Sequence, residues 1–112
     1  MYDLLIKGGR LIDVSQNLNE IKDIAVYGGR ICKIEIDIPE NEARRVIHVA
    51  GKIVTAGLID FHTHILYGVD PYNLGIHPDK IGVYAGVTTV VDAGTAGCDI
   101  FELIPAHIIP NV

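Results

Sequence analysis

Positive charge, cysteine and long apolar runs are all scarce in this sequence. Only nine of its 112 residues are Lys or Arg, and the longest basic string is the pair Arg44-Arg45. Such a scatter offers no patch to track a nucleic-acid backbone or an anionic membrane surface. With fourteen Asp and Glu the net charge is -5, which leaves small-molecule chemistry as the open class. Two cysteines, Cys32 and Cys98, are too few and too far apart for a disulfide framework or a cysteine metal site, and are expected to be reduced, buried thiols. No apolar stretch approaches the ~20 residues of a membrane span. The opening Met1 to Lys7 carries no basic leader, so a cytoplasmic protein is expected.

What is present is an apolar composition, 49% hydrophobic, in a length that suits one ordinary domain with its own core. The opening contains a repeat at a spacing of twenty: Asp3 to Leu11 (DLLIKGGRL) recurs as Asp23 to Ile31 (DIAVYGGRI). Each copy reads as a β-hairpin, because a Gly-Gly pair between branched residues tolerates the positive φ of a tight turn. Residues 14 to 22 read as a polar loop between the hairpins, residues 38 to 42 as a break at Pro39, and Arg45 to Val49 as one further strand.

After Gly51 the alternation fades. Ile53 to Ile59 is nearly all apolar, as in a strand covered on both faces of a parallel sheet. Pro78 suits the first turn of a helix with Ile81, Tyr84 and Ala85 on one face, Gly86 suits its end, and Val87 to Val91 suits a second strand. That is a β-α-β unit, whose strands would lie side by side and parallel. Their carboxyl ends would carry His62 and His64 on one strand and Asp92 to Gly97 on the other, the end at which α/β barrels place their chemistry. The tail from Ile100 reads as an apolar helical segment broken by Pro105 and Pro110.

The stretch with chemical content is Gly57-Leu58-Ile59-Asp60-Phe61-His62-Thr63-His64. Side chains alternate along a strand, so Asp60, His62 and His64 project to one side and two imidazoles can approach one cation. Zinc favours histidine, and a catalytic site keeps about three protein ligands and an open position. His-x-His is therefore half a site. Asp60 could accept the far ring N–H of a ligand histidine and so set its tautomer. Tyr67, Asp70 and Tyr72, in the loop that follows, are candidates to line a substrate pocket. His48, His77 and His107 read as surface or capping residues, and Asp92 as a structural hydrogen-bonding group.

The Gly-Leu-Ile-Asp-x-His-x-His string after two Gly-Gly-Arg segments, followed by Ala85-Gly86-Val87-Thr88-Thr89-Val90-Val91-Asp92-Ala93-Gly94, resembles the start of the amidohydrolase superfamily. Within it the likeness is to the dihydroorotase-like amidohydrolase/deacetylase branch, to which Gly68-Val69-Asp70-Pro71 and Asp92 to Gly97 are also similar. The resemblance implies an α/β fold: the start of a (β/α)8 TIM-like hydrolase barrel, preceded by an N-terminal β-sandwich subdomain built from both chain ends. Residues 1 to 51 would belong to the sandwich and residues 52 to 112 to the first two β/α units. A closed barrel takes ~250 residues, so it is incomplete in this chain.

It also implies a centre of one or two zinc ions, or another divalent metal, with His62 and His64 as ligands. Metal-activated water would attack the C–N bond of a small amide, cyclic amide or acyl substrate. No catalytic acid or base is assigned within this chain, since the family places those groups on later strands, and the chain alone is expected to be inactive. Two departures stand out. Ala56-Gly57 replaces the frequent Pro-Gly, and Leu66 stands where dihydroorotases place an arginine for a substrate carboxylate, which counts against dihydroorotase activity and suggests a less charged acyl group. Unpaired strand edges would make the chain a homo-oligomer or prone to aggregate. The competing reading is a non-catalytic β-rich scaffold or truncated remnant with at most a structural metal.

Overall fold

The structure is a computed structural model, and it describes residues 1 to 69, 71 and 73 to 112. The chain divides into two compact units, Met1–Ala56 and Gly57–Val112. The division falls after Ala56 rather than after Gly51, because Ile53–Thr55 is hydrogen-bonded into the sheet of the first unit.

The first unit is one mixed sheet built around a long central strand, β1 (Leu4–Asp13). Strand β2 (Leu18–Tyr27) lies antiparallel to β1, and β3 (Arg30–Glu35) antiparallel to β2. On its other side β1 takes two short parallel partners in succession, β4 (Val46–His48) along Leu5 to Lys7 and β5 (Ile53–Thr55) along Arg10 to Ile12. Where the resemblance implies a sandwich drawn from both chain ends, the described residues of this unit supply a single sheet. Leu5, Ala25 and Ile38 are fully buried at its core, with Tyr2, Ala43 and Val46 packed against them.

The two copies of the repeat have different fates. Gly28 and Gly29, with φ of 58° and 74°, form the expected hairpin turn between β2 and β3. Gly8 and Gly9 do not turn the chain; they form a bulge inside β1, where the register with β2 shifts between Ile6 and Gly9. Tertiary contacts decide the difference. The Gly8 N–H is drawn to the Asp23 carboxylate at 2.8 Å, and β5 passes so close that a Cβ on Gly9 would sit 2.6 Å from Val54 Cγ2. The bulge is where β1 exchanges β4 for β5.

The polar loop expected over residues 14 to 22 is shorter than that. A 3-10 turn at Val14–Gln16 is capped by the Asp13 carboxylate, which accepts from the Ser15 N–H at 2.9 Å, and Asn17 at φ 54° closes it, so that β2 resumes at Leu18. The break near Pro39 is present as a 3-10 turn at Glu40–Glu42.

In the second unit β6 (Leu58–Thr63) and β7 (Val87–Asp92) pair in parallel, as the β-α-β reading requires. The connection carries α1 (Pro78–Ile81) and a 3-10 turn at Val83–Ala85. The helix is shorter than its apolar spacing suggests: Gly82 leaves helical geometry, and Tyr84 is exposed rather than packed on a face with Ile81. Gly86, at φ 81°, ends the segment as expected. The continuous apolar strand expected over residues 53 to 59 is two strands in two sheets, and most of its side chains are uncovered; Ile53, Leu58 and Ile59 are exposed and Val54 is half-buried. Beyond β7 the chain forms short turns, with Pro105 and Pro110 each in the first turn of a helical segment. Both cysteines are free and exposed, contrary to the expectation of buried thiols; Cys32 lies on β3, the last strand of its sheet path, and Cys98 in a 3-10 turn. No helix among the described residues is long and apolar enough to cross a membrane.

Candidate functional site

Strand β6 delivers its polar residues to its carboxyl end, where β7 also ends. The His62 and His64 rings stand 5.9 Å apart between centroids and nearly perpendicular, at 87°. His62 is exposed and His64 half-buried. The expected pairing of imidazoles is therefore present.

Asp60 does not take the part expected of it. Its Oδ1 accepts the backbone N–H of His62 at 3.1 Å rather than a ring N–H. A short carboxylate two residues earlier on the same strand reaches the main chain more readily than a ring projecting away from it.

The imidazole partner comes from β7. Thr95 Oγ1 lies 2.7 Å from Nδ1 of His64. Asp92, the last residue of β7, holds this threonine in place. Its Oδ1 accepts the backbone N–H of Gly94 at 3.0 Å and of Thr95 at 2.7 Å, while its Oδ2 accepts the N–H of Ile65 at 2.9 Å. One carboxylate thus folds the turn after β7 and ties it to the chain leaving β6. Burial works to raise the pKa of Asp92, but the Ile65 N–H, the Thr95 hydroxyl and the N–H groups of Thr95 and Gly94 outweigh it and hold the carboxyl below its usual range. The structural role expected of Asp92 is the one it has. Two further bonds lock the strand ends, from Thr63 Oγ1 to the Val91 carbonyl at 2.8 Å and from the Ala93 N–H to the Thr63 carbonyl at 2.7 Å.

Thr95 is the residue that sequence reasoning missed. The available signal was Asp-Ala-Gly-Thr at a strand end, a string suited to an Asx turn that brings a hydroxyl back over the neighbouring strand.

The loop after the histidines folds against the approach to α1. The Ile76 N–H donates to the His64 carbonyl at 2.8 Å, and the half-exposed Tyr67 ring lies 5.7 Å from the ring of His77. His77 caps α1, its Nδ1 accepting the Asp79 N–H at 3.3 Å. His48 lies on β4, 3.8 Å from Glu40, and His107 is exposed in the tail. Asp70 and Tyr72, the other pocket candidates, lie outside the described residues. Leu66 and Ile65 are buried, so the inference of a less charged acyl group from an apolar Leu66 loses its basis: Leu66 packs in the interior instead of facing a ligand.

The donor set answers in part to a metal. Two adjacent imidazoles are the right chemistry for zinc, but among the described residues no group of three or more His, Cys, Asp or Glu gathers. The described residues supply two such donors, His62 and His64.

No family model matches the chain. It is 40% identical over 100 residues to a deacetylase of Enterococcus faecalis, covering 88% of this chain and 25% of that protein. It is 44% identical over 63 residues to a dihydroorotase of Geotalea daltonii, covering 56% of this chain and 15% of that protein. Among solved structures it superposes on a D-aminoacylase studied for its binuclear metal centre, with a TM-score of 0.62 and 38% identity, over 82% of this chain and 18% of that one. The chain thus spans a quarter or less of the length of these relatives.

Proposed function

Since this chain belongs to the amidohydrolase superfamily, we propose that it supplies the first-strand part of a metal-dependent hydrolase acting on C–N bonds of small amides or cyclic amides. The observation that carries the reading is the pair of imidazoles, 5.9 Å apart, at the carboxyl end of β6 beside β7. His62 and His64 would hold the metal, zinc by the chemistry of the donors or another divalent ion, in a centre of one or two ions. When bound, such an ion polarises a carbonyl and acidifies water.

The chain's own residues prepare that site. Asp92 fixes the turn carrying Thr95, Thr95 holds the His64 ring, and the ties between Thr63, Val91 and Ala93 keep the two strand ends in register. Asp60 stiffens the strand leading into His62 through the His62 N–H. Tyr67, exposed beside His77, would border a substrate in this reading. The remaining metal ligands and the group that moves the proton belong to later strands of the fold. Hydrolysis by these 112 residues alone is not expected. The exposed apolar residues Leu58, Ile59 and Phe61 on β6 support self-association of the isolated chain. A cytoplasmic setting belongs to the same proposal, on composition alone.

A second reading is a non-catalytic module whose two histidines hold at most a structural metal; the hydrogen-bond partner that Thr95 already gives His64 Nδ1 favours it. Calorimetric titration of the metal-free chain with zinc, beside His62→Ala and His64→Ala, tests the first. Weak binding lost in either variant supports a shared half-site, whereas zinc uptake indifferent to both substitutions would remove the proposal. Tight stoichiometric zinc, with unfolding of His62→Ala, would favour the structural module.

A further inference from the structure

The loop that follows His64 returns to it. Its far end is tied to the end of β6 by the Ile76 N–H, which donates to the His64 carbonyl at 2.8 Å. Gly75 passes so close to the chain leaving β6 that an added Cβ would stand 2.5 Å from the carbonyl carbon and oxygen of Leu66. The next residue, His77, joins this end of the loop to α1. Pro78 fills the first helical position and has no N–H, so Asp79 offers the first amide of the helix, and Nδ1 of His77 accepts it at 3.3 Å. Tyr67, from the start of the same loop, packs on the His77 ring with 5.7 Å between centroids.

Helix caps are ordinarily Ser, Thr, Asp or Asn, whose oxygens remain acceptors near neutral pH. An imidazole nitrogen accepts only while it is unprotonated; the imidazolium carries an N–H at both positions and accepts nothing. One proton therefore turns the bond to Asp79 into a meeting of two donors, and imidazole is the side chain that takes up a proton between about pH 8 and pH 5. The ionisable side chains around this ring, among the described residues, are the Tyr67 phenol and, in the helix it caps, Asp79 and Lys80.

We infer that His77 is a proton-operated latch: neutral, it fastens residues 75 to 77 of the loop to the start of α1, and protonated it lets them go. The latch follows from the cap geometry and needs no metal. That the loop it fastens borders a substrate rests in addition on the function proposed above.

Amide spectra of the metal-free full chain, recorded from about pH 8 to pH 5, read the latch at two positions. The Asp79 amide proton should move upfield as its bond is lost, with the same midpoint as the ring protons of His77. Protection of the Ile76 amide, normalised for the pH dependence of intrinsic exchange, should fall by about fivefold, the worth of a helix cap.

His77→Asn separates this ring from the other imidazoles of the chain, because an Asn oxygen stands where Nδ1 does and accepts throughout that range. In this variant both amides should keep the values of the neutral cap. An Asp79 amide that titrates apart from the His77 ring overturns the inference, and so does a His77→Asn chain that responds as the unsubstituted one does. A response at Asp79 without one at Ile76 overturns it as well, since His77 would then cap the helix without holding the loop. Should His77→Asn fail to fold, the shared midpoint in the unsubstituted chain still decides. A latch that works in a chain indifferent to zinc would stand while the hydrolase reading fell.

Discussion

Nζ of Lys7 lies 2.9 Å from Oδ2 of Asp23, and only 2% of the Asp23 side chain is exposed. The same carboxylate accepts the N–H of Gly8 at 2.8 Å and of Ile38 at 2.9 Å, while Lys7 also reaches Asp37 at 2.7 Å and the Ile38 carbonyl at 3.0 Å. A charge on β2 thus joins the bulge of β1 to the segment that follows β3. Asp23→Ala would leave two N–H groups and an ammonium without this acceptor, and should cost about 3 kcal/mol. The urea midpoint of the chain measures it, and an unchanged midpoint would show that water replaces the carboxylate freely.

The same cluster sets an acid limit on stability. Burial tends to raise the pKa of Asp23, but the Ile38 N–H, the Lys7 ammonium and the Gly8 N–H overcome it, and the carboxyl stays below its ordinary 3.8. In the unfolded chain Asp23 takes up its proton at a higher pH than in the folded one. The stabilisation is therefore complete above about pH 4 and is lost as pH falls through the folded pKa. Midpoints measured from pH 6 to pH 2 should fall more steeply for the unsubstituted chain than for Asp23→Asn. Parallel curves would mean that other carboxyl groups carry the acid sensitivity.

Gly9→Ala should destabilise the first unit by about 1 to 3 kcal/mol. The added Cβ would stand 2.6 Å from Val54 Cγ2 and 2.9 Å from Val49 Cγ2, distances at which β5 and the end of β4 must give way. Val54→Ala in the same chain should recover part of the loss, because it removes the nearer methyl. Thermal melting of the single and double variants reads the effect, and no recovery would locate the strain elsewhere.

Asp92→Asn exchanges one carboxylate oxygen for an amide that cannot accept a hydrogen bond. The backbone N–H groups of Ile65, Gly94 and Thr95 currently depend on those two oxygens. Hydrogen exchange should accelerate by roughly tenfold or more at whichever of these amides loses its acceptor, with the β1 to β2 ladder unaffected. Unchanged exchange at all three would contradict the clamp.

Asp60→Asn should leave zinc affinity within about threefold of the unsubstituted chain, since Asp60 contacts the His62 main chain and an amide oxygen can accept that bond equally well. A carboxylate bonded to a ligand ring would show a loss of tenfold or more. Competition against a colorimetric zinc chelator separates the two.

The legible parts of this molecule are those written in short stretches. The Gly28-Gly29 turn, the Pro78 helix start, the Gly86 stop and the parallel pair β6 and β7 all follow from local backbone preference and from the apolar strings of Val87 to Val91 and Leu58 to Ile59. The His62 and His64 rings come within 5.9 Å because strand alternation sends i and i+2 to one side. Reading Ile53 to Ile59 as one strand failed for the opposite reason. An apolar run says that strand is favourable but not which sheet will take it, and the N-terminal half is taken by β1.

The sequence by itself determined the types of element, the turn glycines that need positive φ, and the two imidazoles at a strand end, since each depends on residues within a few positions of one another. Only the tertiary structure decided the rest. An identical Gly-Gly pair became a turn in one copy and a bulge in the other, because Asp23 and Val54 converge on the first. The partner of His64 proved to be Thr95, thirty-one residues away and brought within 2.7 Å by the pairing of β6 with β7. Hydrogen bonds of that separation depend on register and on the path of the intervening chain, and neither is set by a local preference.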